Sequence, residues 1–173
     1  MEYILNPKRK KIHGFRAKLL FCLKLPLTRF GLYLGFLNIE YSYVHGNKSR
    51  IRIGKGCSTM NTIFNTVSGN VTIGDDTIFG HNCMVLTGRH RFYKGRRAKL
   101  VLGSEDFRET PESGYDIEIG EGCFIGSGVT ILAPVKIGDN VIIGAGCLVV
   151  KDIPSNCFVA GAPAKVISFH KCD

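Results

Sequence analysis

The stretch that decides the fold is IEIGEGCFIGSGVTILAPVKIGDNVIIGAGCLVVKD, from Ile117 to Asp152. Ile119, Ile125, Ile131, Ile137, Ile143 and Val149 recur at a strict interval of six. Two residues before each stands a second apolar series: Ile117, Cys123, Val129, Val135, Val141 and Cys147. A helix would repeat near 3.6 and a plain strand near 2, so a period of six fits neither. It fits a short strand with two inward side chains, a corner, and then the same again, the repeat of a parallel β-helix. Three hexads close one triangular coil, so residues 18 apart should stack: Ile119 on Ile137, Ile125 on Ile143, Ile131 on Val149. Successive coils pair their backbones at about 4.8 Å. Gly120, Gly126, Gly138 and Gly144 each follow an inward apolar residue, and are read here as residues of the bend, where a missing Cβ helps. One coil cannot bury its inner face, so several must stack.

Outward from this stretch the pattern weakens in both directions. Ile51 and Cys57, with Ile53 and Thr59, begin the repeats. Register is lost after Asn61 and resumes two residues out of phase, with Val71, Thr77 and Cys83 beside Ile73, Phe79 and Val85. This predicts a corner insertion near Thr66 to Asn70. Residues 91–115, RFYKGRRAKLVLGSEDFRETPESGY, hold no hexad and read as a long loop thrown out of the coil. A loop of that length in a compact domain is usually functional or disordered. Ile153 to Ile167, with Pro154 and Pro163 as breakers, make a last partial coil. The expected organisation is an N-terminal segment over 1–45, an all-β parallel β-helix over 46–168 with its loop at 91–115, and a tail over 169–173.

The N-terminal segment carries a basic run, Lys8, Arg9, Lys10 and Lys11, and an apolar stretch from Leu19 to Leu37. Lys24, Pro26 and Arg29 interrupt that stretch, and a spanning helix needs about 20 largely unbroken apolar residues. Two short helices broken near Pro26, capping the open end of the coil, are expected instead. Basic charge beside leucines is also the composition of a helix lying in a membrane interface. Residues 1–30 therefore define a second expectation, peripheral contact with an anionic membrane face. No signal peptide is visible.

The formal net charge of +9 points to an anionic partner. No nucleic-acid module is present, and the cations are not interleaved with aromatics as a base-stacking platform needs, so nucleic acid is excluded. Of seven cysteines, Cys57, Cys83, Cys123 and Cys147 fall on inward positions, where Cys acts as a small hydrophobe. With no CxxC pair, a disulfide framework or zinc cluster is not expected, and a reducing cytoplasm is the simpler setting.

The segment from Gly126 to Ile167, GSGVTILAPVKIGDNVIIGAGCLVVKDIPSNCFVAGAPAKVI, resembles the C-terminal half of hexapeptide-repeat acyltransferases. It is similar above all to the maltose and galactoside O-acetyltransferases and to the branch that acetylates capsular or O-antigen sugars; the resemblance covers about residues 50–168. It implies a left-handed coil, a homotrimer, and acetyl-CoA bound in grooves between neighbouring coil stacks. VLTGRH, ending at His90, matches the family's segment that ends in its catalytic histidine. Neutral imidazole suits removal of a hydroxyl proton near pH 7. Ser127, Ala145, Lys151 and Lys165 match the family's cofactor contacts, the two lysines meeting phosphates as point charges. The resemblance also implies an acceptor-holding asparagine one coil before the histidine, and Asn61 lies within a residue of that position.

Among acids, Glu105, Asp106 and Asp116 are near enough in sequence to orient His90, and no spacing picks one; Asp116 is carried with Asn61 as a candidate acceptor contact. The related fold of gamma-class carbonic anhydrases holds zinc with three histidines, two of them close in sequence. No close histidine partners His81 or His90 in that way, so no metal site is expected. The expected reaction moves acetyl from acetyl-CoA to a sugar hydroxyl in surface polysaccharide biosynthesis. The alternatives are transfer to the amine of a nucleotide-linked amino sugar, and a non-catalytic β-helix that binds or scaffolds.

Overall fold

The computed structural model describes residues 42–102 and 110–170. The expected helical cap over 1–45 and the membrane-contact segment 1–30 lie almost entirely or entirely outside them. Within them the chain is a parallel β-helix of five coils with three faces. Face A stacks β1 (Tyr43–His45), β4 (Ile63–Asn65), β7 (Met84–Leu86), β12 (Thr130–Leu132) and β15 (Leu148–Val149). Face B stacks β2 (Ile51–Ile53), β5 (Val71–Ile73), β10 (Ile117–Ile119) and β13 (Val135–Ile137). Face C stacks β3 (Ser58–Thr59), β6 (Ile78–Phe79), β11 (Phe124–Ile125), β14 (Ile142–Ile143) and β16 (Cys157–Ala160). The chain runs A to B to C and climbs one layer. No helix among the described residues is long and apolar enough to cross a membrane.

The stacking follows the 18-residue rule. Ile119 pairs Ile137, Ile125 pairs Ile143, and Ile131 pairs Val149, all in parallel register. Their side chains, with Ile117, Val129, Val141 and Val85, form a single buried column. Cys83, Cys123, Cys147 and Cys157 lie in it as reduced thiols. Burial raises the pKa of Cys83, Cys123 and Cys157, because a thiolate loses hydration there. The first two coils have a more polar interior. Buried Thr77 donates to the Gly120 carbonyl (2.8 Å) and accepts from the Cys123 N–H (3.1 Å), tying two layers together.

The corners separate two roles for small residues. The left-handed turn positions are Gly56, Asp76, Gly122, Asn140 and Asn156 between faces B and C, and Asn61, Asn82, Gly128, Gly146 and Gly161 between faces C and A. Asn, Asp and Gly are the residues that tolerate this conformation. The glycines that follow the inward isoleucines are two residues earlier, and their reason is different. A Cβ on Gly126 would stand 2.6 Å from the Ala145 nitrogen, and one on Gly120 2.6 Å from the Gly138 carbonyl carbon. They are needed because the next coil's backbone passes too close, not because the chain bends there.

The corner from A to B is where the coil departs from its ideal. In coil 4 only Ala133 and Pro134 bridge it, whereas coils 1 and 2 each spend five residues there, including the expected insertion from Thr66 to Asn70. In coil 3 the same corner releases the long loop. That loop is not featureless: it opens with a hairpin, β8 (Phe92–Tyr93) and β9 (Arg96–Arg97), and a short helix, α1 (Ala98–Leu102). Lys94 and Gly95 both have positive φ, 48° and 75°, as a two-residue type I′ turn requires. At the other end of the prism, β17 (Lys165–Phe169) turns back antiparallel on β16 instead of starting a sixth coil.

Candidate active site

His90 stands four residues beyond β7, at the A-to-B corner of coil 3, and is exposed. The turn that carries it is pinned from below. The Thr87 N–H donates to the Asn65 carbonyl (3.0 Å), and Thr87 Oγ1 accepts from the Ser68 N–H (3.2 Å). The Arg89 N–H donates to Ser68 Oγ (3.4 Å), and the Tyr115 N–H to the Ser68 carbonyl (3.3 Å). Ser68 thus clamps both ends of the extruded loop. The Arg89 guanidinium lies 5.8 Å from the centre of the Tyr115 ring and closes the loop's neck. Arg50 braces the returning strand by donating to the carbonyls of Thr66, Val67 and Glu112.

These contacts shape a cleft of about 550 Å³, walled by Arg89, His90, Arg91, Phe92, Tyr93, Ala98 and Tyr115. The hairpin forms one wall and the loop's neck the other. Ala98 is buried and its N–H donates to the Arg91 carbonyl (2.8 Å), so the helix holds the hairpin against the histidine segment.

The sequence-derived cofactor residues gather elsewhere. Ser127 and Ala145 occupy the C-to-A corner in successive coils, both exposed; the Gly146 N–H donates to the Ser127 carbonyl (2.9 Å). His81 takes the same position one coil below, its N–H donating to Ser127 Oγ (3.1 Å). A Cβ added at Gly146 would meet no atom within 4 Å, so the corner is an open shelf. Lys165 joins this edge, paired with Ala160, while the Ala164 N–H bonds the Leu148 carbonyl (2.8 Å). Lys151 does not join it: it follows face A and lies at the A-to-B corner, two coils above the corner that bears His90. Shelf and lysine fit a long anionic cofactor: backbone and small side chains for its thin arm, a cation for its phosphates.

Asn61 begins β4 from the C-to-A corner, at φ 50°, and its Oδ1 is buried with no hydrogen-bond partner among the described residues. It stands on the same C-to-A edge as Ser127 and Ala145, in the column of Asn82, Gly128 and Gly146, at the opposite edge of face A from His90. Asp116 follows Tyr115 at the same A-to-B corner as His90 and lines a second, polar hollow with Arg50, Arg52, Asn70 and Glu118. Its Oδ1 accepts from the backbone N–H (2.6 Å) and side-chain Nδ2 (3.2 Å) of Asn70, and so closes the A-to-B corner one layer down. Glu105 and Asp106 are outside the described residues. Among the described residues no three His, Cys, Asp or Glu side chains are gathered as a metal site. No hexad announces the aromatic wall, Phe92 and Tyr93; its one signal is the Lys94-Gly95 turn between two short aromatic-basic runs.

Comparison with known proteins supports the fold. Residues 116–151 match the family model for the bacterial transferase hexapeptide (six repeats). The chain is 27% identical to YvoF of Bacillus subtilis over 145 residues, 83% of this chain and 72% of that protein. It is 36% identical to serine acetyltransferase 4 of Arabidopsis thaliana over 118 residues, 68% of this chain but 28% of the relative. Among solved structures, a galactoside acetyltransferase in complex with coenzyme A superposes with a TM-score of 0.61 at 33% identity, covering 75% of this chain and 60% of that one. The chain thus spans well under two thirds of the length of several relatives it matches. It belongs to the hexapeptide-repeat acyltransferase family.

Proposed function

We propose that this chain is an acetyl-CoA-dependent acetyltransferase that acetylates a sugar hydroxyl, with His90 as the base. The observation that carries the reading is the placement of His90: an exposed imidazole on a pinned turn, opening into a cleft, on a coil similar to a galactoside acetyltransferase that binds coenzyme A. Acetyl-CoA supplies the thioester whose carbonyl carbon is attacked. His90 takes the proton from the acceptor hydroxyl as the C–O bond forms and returns it to the departing thiolate. Ser127 and Ala145 line the cofactor's path, Lys165 meets its phosphates, and Asn61 is the acceptor contact that the family resemblance implies. A cellular role in surface polysaccharide biosynthesis, in the cytoplasm, belongs to the same proposal.

We propose a homotrimer, as the family resemblance implies, and the same layout supports it. Within one chain His90 and the Ser127–Ala145 shelf stand at opposite edges of face A. A neighbouring copy that brings its C-to-A corner against this chain's A-to-B corner completes the site. The outside of face C supports such packing: Ile78, Phe124 and Ile142 stack in register and are all exposed. Face B instead presents Arg52, Thr72, Glu118 and Lys136, the last two 3.3 Å apart as an ion pair. Light scattering tests the assembly, a stable active monomer being the contrary result.

Serine is a second acceptor to test, because a serine acetyltransferase is among the similar proteins and the hydroxyl chemistry is the same. The decisive experiment is an acceptor screen with acetyl-CoA, scored by released thiol, across sugars, amino sugars and serine. No thiol release above the acceptor-free rate with any of them would reject the reading. If the acceptor is lipid-linked, residues 1–30 hold the enzyme at the inner membrane face. Flotation with anionic liposomes, lost on deleting those residues, tests that part.

A further inference from the structure

His81 has no part in the reaction drawn above, yet it stands on the shelf that carries the donor. It occupies the C-to-A corner one coil below Ser127, and its side chain is exposed. Its backbone is tied to the layer above on both sides. The His81 N–H donates to Ser127 Oγ (3.1 Å), and its carbonyl accepts from the Gly128 N–H (2.8 Å). Gly80, just before it, packs under the same residue, since a Cβ there would stand 2.6 Å from the Ser127 nitrogen. The imidazole therefore projects from a corner held in place by the coil above.

Heights along the prism decide what lies opposite. The shelf runs downward from Lys165 past Ala145 and Ser127 to His81. His81 leads into β7 and His90 follows it. One coil climbs one layer, about 4.8 Å, so His90 stands about a third of a layer above His81 and about two thirds of a layer below Ser127. Rotation about an axis parallel to the prism closes a trimer without moving any residue along that axis. The partner subunit's C-to-A corner then meets this chain's His90 between the levels of His81 and Ser127. Ser127 and Ala145 border the donor's arm from above, and His81 is the corner side chain nearest in height to the base.

Resting on the transferase and trimer readings above, we infer that the partner subunit's His81 completes the site of this chain's His90, at the acetyl end of the donor. The acceptor oxygen attacks the thioester carbon, the C–O bond forms, and the carbonyl electron pair moves onto its oxygen. His90 takes the hydroxyl proton in the same step. A neutral imidazole carries one N–H donor, and that of His81 donates to the oxygen on which negative charge develops. A fixed donor aimed at such an oxygen lowers the barrier, because it is already in place when the charge appears. As the carbonyl re-forms, the C–S bond breaks and the thiolate takes the proton back from His90. His81 gives up no proton. Each site takes one histidine from each of two copies: a base from one and an oxyanion donor from the other.

The test uses the full chain and the best acceptor from the screen. His81→Ala should lower kcat by about 10²-fold or more, as loss of one donor to a developing oxyanion does. KM for acetyl-CoA and affinity for coenzyme A should be little changed, the mark of an interaction made in the transition state. His81→Gln keeps an N–H donor and should recover part of the loss. If His81→Ala lowers Tm, His81→Leu carries the same comparison. Co-expression of His81→Ala and His90→Ala chains in equal amounts then reads where the two histidines meet. Across an interface, about one site in four regains both, so the mixture should exceed either parent by about tenfold or more. Within one chain, the mixture should give only the parents' average. A second readout requires no turnover. With labelled histidine rings, the His81 magnetic resonance signal, identified by its loss in His81→Gln, should shift more with acetyl-CoA than with coenzyme A. Near-wild-type kcat in His81→Ala, a mixture no better than its parents, or a stable active monomer overturns the inference and leaves the transferase reading standing. A His81 signal that answers acetyl-CoA, with no thiol release from any acceptor, upholds the placement and rejects the transferase reading. No release and no response reject both.

Discussion

Replacing Gly126 by Ala tests the layer geometry on which every site assignment depends. The added Cβ would lie 2.6 Å from the Ala145 nitrogen, 2.8 Å from the Ile143 oxygen and 2.9 Å from the Ala145 Cα. Carbon contacts are comfortable at about 3.5–4.0 Å, so coils 3 and 4 must separate by roughly 1 Å at this corner. All three atoms are backbone, and none can rotate away. The Gly126 N–H bond to the Ile143 oxygen (2.8 Å) would stretch with them. Overpacking of this kind costs about 1–3 kcal/mol, and a weakened backbone hydrogen bond adds about 1 kcal/mol. Loss of glycine's freedom in the unfolded chain returns about 0.4–1 kcal/mol. The net expectation is about 2–3 kcal/mol, or roughly 4–12 °C in Tm for a chain of this size. Gly146→Ala is the control: its Cβ meets nothing within 4 Å, and only its φ of +69° opposes the change, at about 1–2 kcal/mol. Gly146→Asn should cost less still, since Asn82 already occupies that column at φ 58°. Denaturation at fixed protein concentration, held constant because assembly shifts apparent stability, measures all three. Wild-type stability in Gly126→Ala, or a larger loss in Gly146→Ala, would refute the reasoning.

Three further outcomes follow. Brief alkylation of native protein near pH 8 should label Cys57 and spare Cys83, Cys123 and Cys157, whose burial raises their thiol pKa; peptide mapping that finds all four labelled equally would count against the packed column. Thr77→Val should lower stability by about 1–3 kcal/mol despite its matching shape, because the buried Cys123 N–H loses its acceptor; chemical denaturation reads this directly. Lys165→Ala should weaken acetyl-CoA more than an analogue lacking the cofactor's phosphates, with the difference fading at high salt, and equal losses by calorimetry would remove Lys165 from the phosphate contacts.

The register of the last two full coils is legible because each hexad from Ile117 to Val149 is complete, and spacing alone then stacks residues 18 apart. The role of Gly120 and Gly126 is not, because a glycine forced by a turn and one forced by a neighbouring layer look alike in one dimension. The place of Asp116 is hidden for a related reason. The extruded loop sets it 46 positions from Asn70, which conceals that the two stand one layer apart. The hairpin at Phe92–Arg97 does not show in the pattern because strands of two residues have no periodicity; only the Lys94-Gly95 turn betrays it. His90 and Ser127 are each identifiable from local motifs. That they lie at opposite edges of face A emerges only when the coil is closed.

His90 carries the central claim. With the best acceptor from the screen, His90→Ala should lower acetyl transfer at saturating acetyl-CoA by two or more orders of magnitude, the worth of a positioned base being about 10²–10⁴-fold. Coenzyme A affinity, measured on the same preparation, should be unchanged, because the base acts on the acceptor. Transfer at close to the wild-type rate in His90→Ala would contradict that claim.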